Sequence, residues 1–481
     1  MTISKTFRTV LLLFTCLFSL SVTAQEKRPN ILVIMCDDLG YNDVGFNGST
    51  DIVTPELDKL AKDGVIMTSA YVAHPFCGPS RAGFITGRYP QVIGTPYNLH
   101  DDGKKTDDGV PLSETYMSNV LQKSGYFTGL VGKWHLGYEP QFQPNNRGFD
   151  DFYGFLGGGH KYFPAQYRQQ YDNLVKENKY PINVYLSPLL HNKQEVDETE
   201  YLTDAFSREA SRMIKDAGNK KKPFFLFVAY NAPHVPLEAK AEDLKKFENI
   251  TDKDRRTYAA MVYAVDRGVG EIVKTLKASN QFNNTLIVFL SDNGGNFDHG
   301  ANNAPLKGTK GDTWEGGFRV PMFFHWPEKL KGGQQFDFPV SSLDLYPTFA
   351  RVAGAKVPAG KKLDGKNIMQ DVIAGTNPRS NEMIYSIRYR AGYCDVGGRQ
   401  GDWKVTRMGN EPWGLYNIKN DIGERKNLGG QFPDRLKAMV AEIEKWSRTH
   451  VKPLWFYTEK DKEMWNDGRL PNYKEAFEIE K

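Results

Sequence analysis

The chain has 481 residues, of which 40% are hydrophobic and 13% aromatic, so a packed core is expected and general disorder is not. This length suits one large domain with a smaller partner. The formal net charge is only +4, and two of the positive charges, Lys5 and Arg8, lie in a segment that we expect to be removed. Bulk charge therefore gives no reason to expect a nucleic-acid partner.

The N-terminus has the pattern of a secretory signal peptide. Lys5 and Arg8 precede an apolar run at residues 10–20, and small residues precede a cleavage point between Ala24 and Gln25. The run is shorter than the roughly 20 residues of a membrane-spanning helix, and no later segment is apolar enough to insert. We therefore expect residues 1–24 to be removed and the mature protein to be secreted or periplasmic, with no membrane insertion.

Cleavage of that segment leaves three cysteines. They are Cys36, Cys77 and Cys394, and at most one disulfide can form among them. A scaffold held together by disulfides is therefore excluded, and at least one thiol is left without a partner.

Short apolar runs alternate with stretches of helical periodicity, which predicts an α/β fold. The strand candidates are residues 31–35, 127–131, 224–230 and 286–290. The two clearest helical stretches are residues 113–124 and 255–276. We expect a large mixed, mostly parallel sheet sandwiched by helices.

After Ala353 the pattern changes to shorter elements. The strand candidates there are residues 383–388, 403–407 and 413–416, followed by a helical stretch at 432–449. We therefore predict a larger domain at residues 25–375 and a C-terminal α+β subdomain, with a short antiparallel sheet, at residues 376–481.

Polar residues follow four of the strand candidates in the larger domain. They are Asp37 and Asp38, Lys133 and His135, His234, and Asp292 and Asn293. Ligands of open α/β sheets bind beyond the carboxyl ends of strands, so we expect these side chains to share one pocket. The first pair and the last pair offer only oxygen donors, which suits Ca²⁺, and Mg²⁺ less well, rather than zinc or copper.

The sharpest local motif is CGPSRAGFITGR at residues 77–88. Here the chain resembles the type I, formylglycine-dependent sulfatases of the alkaline-phosphatase-like superfamily. Their maturation signature is a Cys, any residue, Pro, a small residue and Arg, followed by Thr-Gly-Arg. Two further family elements follow in the family's order, GYFTGLVGKWH at residues 125–135 and KGDTWEGG at residues 310–317. The resemblance extends from Arg28 to the C-terminus and makes the larger domain the catalytic one.

The resemblance implies a nucleophile made from Cys77. In this family a maturing enzyme, formylglycine-generating or anaerobic sulfatase-maturating, oxidises the Cys to 3-oxoalanine (C-formylglycine). One hydroxyl of the hydrated aldehyde attacks sulfur and expels the alcohol, and loss of a proton from the second hydroxyl then releases sulfate. Residue 77 would count among the metal ligands. Arg81, one helical turn further on, would hold the hydroxyls.

The other catalytic roles combine chemistry with family position. His135 is the candidate base for the second hydroxyl, and Lys133 is expected to contact formylglycine and a sulfate oxygen. His234 and Lys310 are expected to reach the sulfate, and one of the two to protonate the leaving alcohol. The sequence leaves open which of the two does so.

A secreted protein with a near-neutral surface and many aromatic residues fits a sulfate ester on a carbohydrate. The signal segment ending in Thr-Ala-Gln resembles those of glycan-degrading bacteria, so we expect a bacterial polysaccharide sulfatase. The candidates for binding an anionic sugar are His100, His160, Arg388 and Arg390.

Two alternative functions stay open. The first is a phosphohydrolase of the same fold. Such sites usually have a Thr or Ser nucleophile and two transition metals with several His and Asp ligands, but some formylglycine enzymes cleave phosphodiesters or phosphonates, so a formylglycine-dependent phosphodiesterase or phosphonate hydrolase is the form of this alternative that fits. The second is a glycan-binding protein without activity. Loss of Cys77, Lys133 or a ligand carboxylate would indicate the second, and all of them are present.

Overall fold

The computed structural model describes residues 27–99, 108–177, 179, 184–466 and 476–479. The predicted signal peptide and His100 lie outside the described residues. Within the described ranges, no helix is both long enough and apolar enough to cross a membrane.

A ten-stranded sheet organises the larger part of the chain. Its strands are β1 (Asn30–Cys36), β2 (Val65–Met67), β4 (Phe127–Lys133), β5 (Asp151–Phe155), β6 (Leu190–His191), β7 (Gln194–Glu195), β8 (Phe224–Ala229), β9 (Thr285–Ser291), β10 (Met322–His325) and β11 (Gln334–Phe336). Their order across the sheet is β11-β2-β10-β9-β1-β8-β4-β5-β6-β7. The five strands from β9 to β5 are parallel, whereas β10, β6 and β7 run antiparallel to their neighbours. A separate pair joins β3 (Ala70–Tyr71) to β12 (Val340–Ser341).

Helices cover both faces of this sheet. In chain order they are α1 (Pro55–Lys62), α2 (Cys77–Thr86), α3 (Met117–Lys123), α4 (Arg168–Glu177), α5 (Leu202–Asn219), α6 (Ala241–Leu244), α7 (Lys253–Ala278), α8 (Glu315–Phe318), α9 (Leu345–Val352) and α10 (Met369–Ala374). One face packs against α1, α5 and α7, and the other packs against α2, α3, α9 and α10.

The central strands are apolar on both sides because both sides are covered. In β1, Ile31 and Val33 enter the core beneath α2 and α9, whereas Leu32 and Ile34 enter the core beneath α5 and α7. Successive side chains of a strand point to opposite faces of the sheet. A strand of a parallel sheet that is covered by helices on both faces therefore has an unbroken run of apolar residues in its sequence. The predicted fold class is therefore confirmed, and helix α7 contains the predicted helical stretch.

The C-terminal part carries a second, four-stranded antiparallel sheet. Its strands are β13 (Ile384–Arg390), β14 (Tyr393–Gln400), β15 (Trp403–Arg407) and β16 (Gly414–Asn417), and it is followed by α11 (Pro433–Ser447) and α12 (Glu459–Asn466). Val396, Val405 and Ile443 pack the sheet against α11. The predicted domain division falls at Gly375, the residue that ends α10, and it stays a prediction.

Cysteine does not cross-link this fold. Cys36, Cys77 and Cys394 are all buried, and all three are free. The one disulfide that the sequence allowed is therefore absent among the described residues.

Candidate active site

The carboxyl ends of four neighbouring parallel strands meet at one edge of the large sheet. The four strands are β9, β1, β8 and β4 in their order across the sheet. The side chains that follow them are Asp292 and Asn293, Asp37 and Asp38, His234, and Lys133 and His135. The order of these strands in the chain is β1, β4, β8, β9, which differs from their order across the sheet. The topology of the sheet therefore brings together residues that are far apart in sequence.

The oxygen-bearing side chains at this edge are buried and converge. Asn293 Nδ2 donates to Asp38 Oδ1 (2.8 Å), and the Asp38 N–H donates to Asp292 Oδ1 (3.3 Å). The Oδ1 atoms of Asp37 and Asn293 are buried and have no hydrogen-bond partner among the residues that the structure describes. Buried polar atoms are normally satisfied, so two unpaired oxygens among three carboxylates fit a bound cation.

Two triads of side chains come close enough to share such a cation. Ligand atoms of Asp37, Cys77 and Asp292 lie within 4.8 Å of one another, and so do those of Asp37, Asp38 and His234. Asp37 belongs to both triads and lies at the centre of the cluster.

Two buried cations accompany the carboxylates. Lys133 Nζ lies 2.6 Å from Asp37 Oδ2, and Arg81 Nε donates to Asp292 Oδ2 at 2.9 Å. Burial alone would raise the pKa of Asp37, but Lys133, His234 and Arg81 together hold it below its usual value. Burial and the neighbouring Asp37 raise the pKa of Asp292. A cation bound here would therefore favour the ionised form of Asp292.

Cys77 is the first residue of helix α2. Its side chain is buried, and burial raises the pKa of its thiol. Asn98 holds this helix end, because its Oδ1 accepts from the Gly78 N–H (2.9 Å) and its Nδ2 lies 3.9 Å from Cys77 Sγ. The helix includes Pro79, so Arg81 is one turn from Cys77, and its guanidinium also donates to the Lys133 carbonyl oxygen (3.2 Å).

Two strand ends have left-handed backbone at non-glycine residues. Asp38 and His135 both have φ near +64°, a conformation that costs about 1–3 kcal/mol and that often marks functional sites. Burial, together with Lys133, lowers the pKa of His135, so its imidazole is neutral near pH 7. Its Nδ1 is buried and has no hydrogen-bond partner in the described chain.

His234 and Lys310 both face Asp38. Lys310 Nζ lies 2.8 Å from Asp38 Oδ2, and His234 Nε2 lies 3.7 Å from the same oxygen. Burial alone would lower the pKa of Lys310, but Asp38 raises it, whereas burial lowers the pKa of His234. The lysine is therefore charged and the histidine neutral near pH 7.

The segment that carries Lys310 is fixed by contacts between backbones. The Gly294 N–H donates to the Gly317 carbonyl oxygen (2.9 Å), and the Lys310 N–H donates to the Gly295 carbonyl oxygen (3.0 Å). A Cβ on Gly294 would lie only 1.8 Å from the Gly316 carbonyl oxygen. Glycine at 294 therefore lets the two loops approach closely enough to bring Lys310 to Asp38.

The three predicted sugar ligands that the structure describes do not lie together. The His160 ring is buried, and its nitrogens lie 2.7 Å and 3.0 Å from the carbonyl oxygens of Lys161 and Ser187. Both ring nitrogens therefore face backbone carbonyl oxygens, and the role of His160 as a sugar ligand stays a prediction. Arg388 and Arg390 line a cavity next to Cys77, and Arg390 is tied to Asp395.

Sequence reasoning missed Asn98 and Phe76. Asn98 touches the candidate nucleophile from a loop that has no motif. The Phe76 ring lies beneath two cations, 4.9 Å from Lys310 Nζ and 4.5 Å from Arg388 Cζ. Proximity to Cys77 in sequence was the one available signal for Phe76, and no signal existed for Asn98.

Two family models match the chain. One is described as Sulfatase and matches residues 29–355, and the other is described as N-sulphoglucosamine sulphohydrolase, C-terminal, and matches residues 310–448. Arylsulfatase J of Mus musculus is 30% identical over 475 residues, covering 89% of this chain and 77% of that protein. N-acetylgalactosamine-6-sulfatase of Mus musculus is 33% identical over 385 residues, covering 76% of this chain and 70% of that protein.

Solved structures give the same result. The crystal structure of Ps i-CgsB in complex with k-i-k-neocarrahexaose is 52% identical with a TM-score of 0.92, covering 94% of this chain and 100% of that chain. The PsFucS1 sulfatase from Pseudoalteromonas sp. is 25% identical with a TM-score of 0.75, covering 89% and 91%. The chain therefore belongs to the sulfatase family, with its alkaline-phosphatase-like fold, and is a sulfuric ester hydrolase.

Proposed function

We propose that the protein hydrolyses a sulfate ester on a carbohydrate, as a bacterial polysaccharide sulfatase, with a formylglycine nucleophile made from Cys77 and a bound Ca²⁺. The observation that carries the proposal is the convergence of Asp37, Asp292, Lys133 and Arg81 on residue 77. A sulfate group needs cations around its oxygens and a nucleophile at its sulfur, and this edge of the sheet offers both.

Asp37, Asp38, Asp292 and Asn293 would hold the Ca²⁺, with the modified residue 77 as a further ligand. The unpaired Oδ1 atoms of Asp37 and Asn293 and the all-oxygen donor set of these four residues support this assignment. Bound there, Ca²⁺ supplies a positive charge that withdraws electron density from the sulfate oxygens.

Conversion of Cys77 by a formylglycine-generating or anaerobic sulfatase-maturating enzyme is part of the proposal. The aldehyde hydrate supplies a hydroxyl nucleophile and a second hydroxyl through which sulfate can leave. Asn98 keeps the start of α2 in place through the Gly78 N–H and reaches residue 77 with its amide. Arg81 and Lys133 place positive charge beside the reacting atoms.

The proton transfers are assigned to His135 as the base and to His234 or Lys310 as the acid. Neutral His135 has a buried, unpartnered Nδ1 and can accept a proton from the second hydroxyl. Either His234 or Lys310 donates a proton to the leaving alcohol: Lys310 is already protonated near pH 7, whereas His234 would first have to take up a proton. Asp38 orients both of them.

Comparison with relatives supports a carbohydrate substrate. The 52% identical neighbour is crystallised with k-i-k-neocarrahexaose, and mammalian relatives are named N-acetylgalactosamine-6-sulfatases. A sulfated galactan oligosaccharide is therefore the first substrate to test. The N-terminal pattern adds to the proposal a secreted or periplasmic location, with cleavage between Ala24 and Gln25.

The test uses protein made with and without the maturing enzyme. We expect release of sulfate from 4-nitrophenyl sulfate and from a panel of sulfated oligosaccharides, loss of activity with a chelator, and no activity in Cys77→Ala. Converted protein that cleaves a phosphodiester or a phosphonate but releases no sulfate would overturn the proposal in favour of the alternative enzyme.

A further inference from the structure

A cavity of about 300 Å³ opens beside the N-terminal end of helix α2. Phe76, Pro79 and Asn98 form the wall nearest Cys77, and Arg388 and Tyr393 of the C-terminal sheet form the facing wall. Asn98 contacts Cys77 Sγ from this wall. A substrate whose ester reaches residue 77 therefore places neighbouring parts of the sugar in the cavity.

Arg388 lines this cavity near the carboxylates of Asp395 and Asp312, but neither forms an ion pair with it. Its guanidinium lies over the Phe76 ring at 4.5 Å, and it forms no hydrogen bond or ion pair with any residue that the structure describes. Its partner across the β13–β14 ladder is Asp395, but the Asp395 carboxylate is already bonded to Arg390 and to the Gly409 N–H. Asp312, the other nearby acid, lies 3.7 Å from Arg390.

The position of Arg388 depends on a glycine in the loop of Lys310. One guanidinium nitrogen of Arg388 lies 1.8 Å from the point that a Cβ on Gly311 would occupy. Gly311 also has φ of +90°, which favours glycine. The loop that brings Lys310 to the cleaved sulfate thus also makes room for Arg388, and the Phe76 ring lies against both cations.

His74 also lines the cavity and is a second polar side chain there that lacks a full set of partners. It is 1% exposed, and apart from an interaction with the Phe76 backbone neither ring nitrogen has a hydrogen-bond partner within the described chain. Burial and the charge of Arg388 lower the pKa of His74 to about 3, so the ring is neutral and offers one N–H. Buried polar atoms without partners are rare, and here they line a cavity large enough for a substituent.

We propose that this cavity binds a second anionic group of the substrate, a sulfate or a carboxylate on the same or the adjacent sugar, with Arg388 as its principal ligand and His74 as a further hydrogen-bond donor. The inference rests on the proposed function and narrows its substrate to a carbohydrate with two anionic groups. A guanidinium fork fits the oxygens of either anion, and the exposed ring of Tyr393 offers a surface for the sugar.

The test compares three oligosaccharides that carry the same cleavable sulfate. Their neighbouring position is neutral, carboxylated or sulfated. The matured wild-type enzyme should turn over one of the two dianionic forms with a kcat/KM about 10- to 100-fold above the neutral form, and the preferred form identifies the anion. Arg388→Gln should bring this ratio towards one, and Arg388→Lys should keep part of it.

Arg448→Gln is the matched control, because Arg448 is an exposed arginine of the same subdomain whose ion pair is with Glu444. It should keep the wild-type ratio. Equal kcat/KM for all three substrates in the wild type would overturn the inference without any variant. A folded Arg388→Gln enzyme that keeps the full preference would overturn it too.

A binding measurement separates this inference from the proposed function. Calorimetry with Cys77→Ala and with Cys77→Ala/Arg388→Gln uses the same three oligosaccharides and needs no turnover. Tighter binding of a dianionic form that depends on Arg388 supports the cavity as an anion site even if no sulfate is released. Equal binding of all three forms by Cys77→Ala would refute the cavity, whatever the enzyme hydrolyses.

Discussion

A buried lysine, Lys404, joins the C-terminal sheet to the segment that carries Lys310. Its Nζ lies 3.1 Å from Glu315 Oε1 and 2.8 Å from Glu424 Oε1, and all three side chains are fully buried. Glu315 also pairs with Arg319 (3.0 Å). Glu424 has no other cation partner among the described residues, and it accepts from the Glu315 N–H at 2.7 Å.

Lys404→Met removes this charge while keeping most of the side-chain volume. Loss of one partner of a buried ion pair costs about 3–5 kcal/mol, because the remaining charge stays buried without compensation. An unfolding entropy of about 2.1 cal/mol/K per residue amounts to about 1 kcal/mol/K for a chain of this size. The melting temperature should therefore fall by about 3–5 °C.

The loss of stability in Lys404→Met should depend on pH. Burial and the charge of Glu315 already raise the pKa of Glu424, and loss of Lys404 raises it further. Between the pKa of Glu424 in the unfolded chain, about 4.3, and its raised pKa in the folded protein, the folded state holds a proton that the unfolded chain has released. The free energy of unfolding of the variant therefore falls as the pH rises through this range. The loss in Lys404→Met should be largest at pH 8 and smaller at pH 5.5.

Thermal melts followed by circular dichroism at both pH values measure these shifts. Lys404→Met/Glu424→Gln is the matched variant, because it removes the uncompensated charge and keeps an oxygen for the Glu315 N–H. It should recover most of the loss at pH 8. A single variant that melts with the wild type at both pH values, or a double variant no better than the single one, would refute the reasoning.

Three further results are expected. Asn98→Ala should lower kcat/KM for 4-nitrophenyl sulfate by about 5- to 10-fold, because one orienting hydrogen bond is worth about 1 kcal/mol; an unchanged value would remove Asn98 from the site. Gly294→Ala should lower kcat by more than 10-fold, because its Cβ would overlap the Gly316 carbonyl oxygen and displace the Lys310 loop. A chelator should abolish sulfate release and added Ca²⁺ should restore it, whereas Asp37→Asn should respond poorly to Ca²⁺; activity indifferent to the chelator would contradict the metal assignment.

The large sheet and its polar edge could be predicted because both leave local patterns. An unbroken apolar run such as residues 224–229 is typical of a strand covered on both faces, and parallel strands end at a common edge. Asp38 and Asp292 could therefore be placed together although 254 positions separate them in the sequence. The C-terminal strand β14 was missed, because Gly397, Gly398 and Asp395 are residues that strands usually lack.

Contacts that depend on tertiary packing left no such pattern. The contact of Asn98 with Cys77, and the cavity that His74, Asn98 and Arg388 line together, are visible only in the folded structure, although the sequence had offered Arg388 as a candidate sugar ligand. His160 illustrates the same limit, and its role as a sugar ligand stays a prediction. A histidine in a loop has the same sequence signature whether its ring faces a ligand or, as here, two backbone carbonyl oxygens.

The most direct test of the account is the dependence of sulfate release on the chemical state of residue 77. Protein produced with graded amounts of maturing enzyme gives samples in which mass spectrometry of the Cys77 peptide measures the converted fraction. The rate of 4-nitrophenyl sulfate hydrolysis should rise in proportion to this fraction and extrapolate to zero for protein in which no Cys77 is converted. A rate that does not follow conversion, or activity retained by Cys77→Ala, would contradict the central claim.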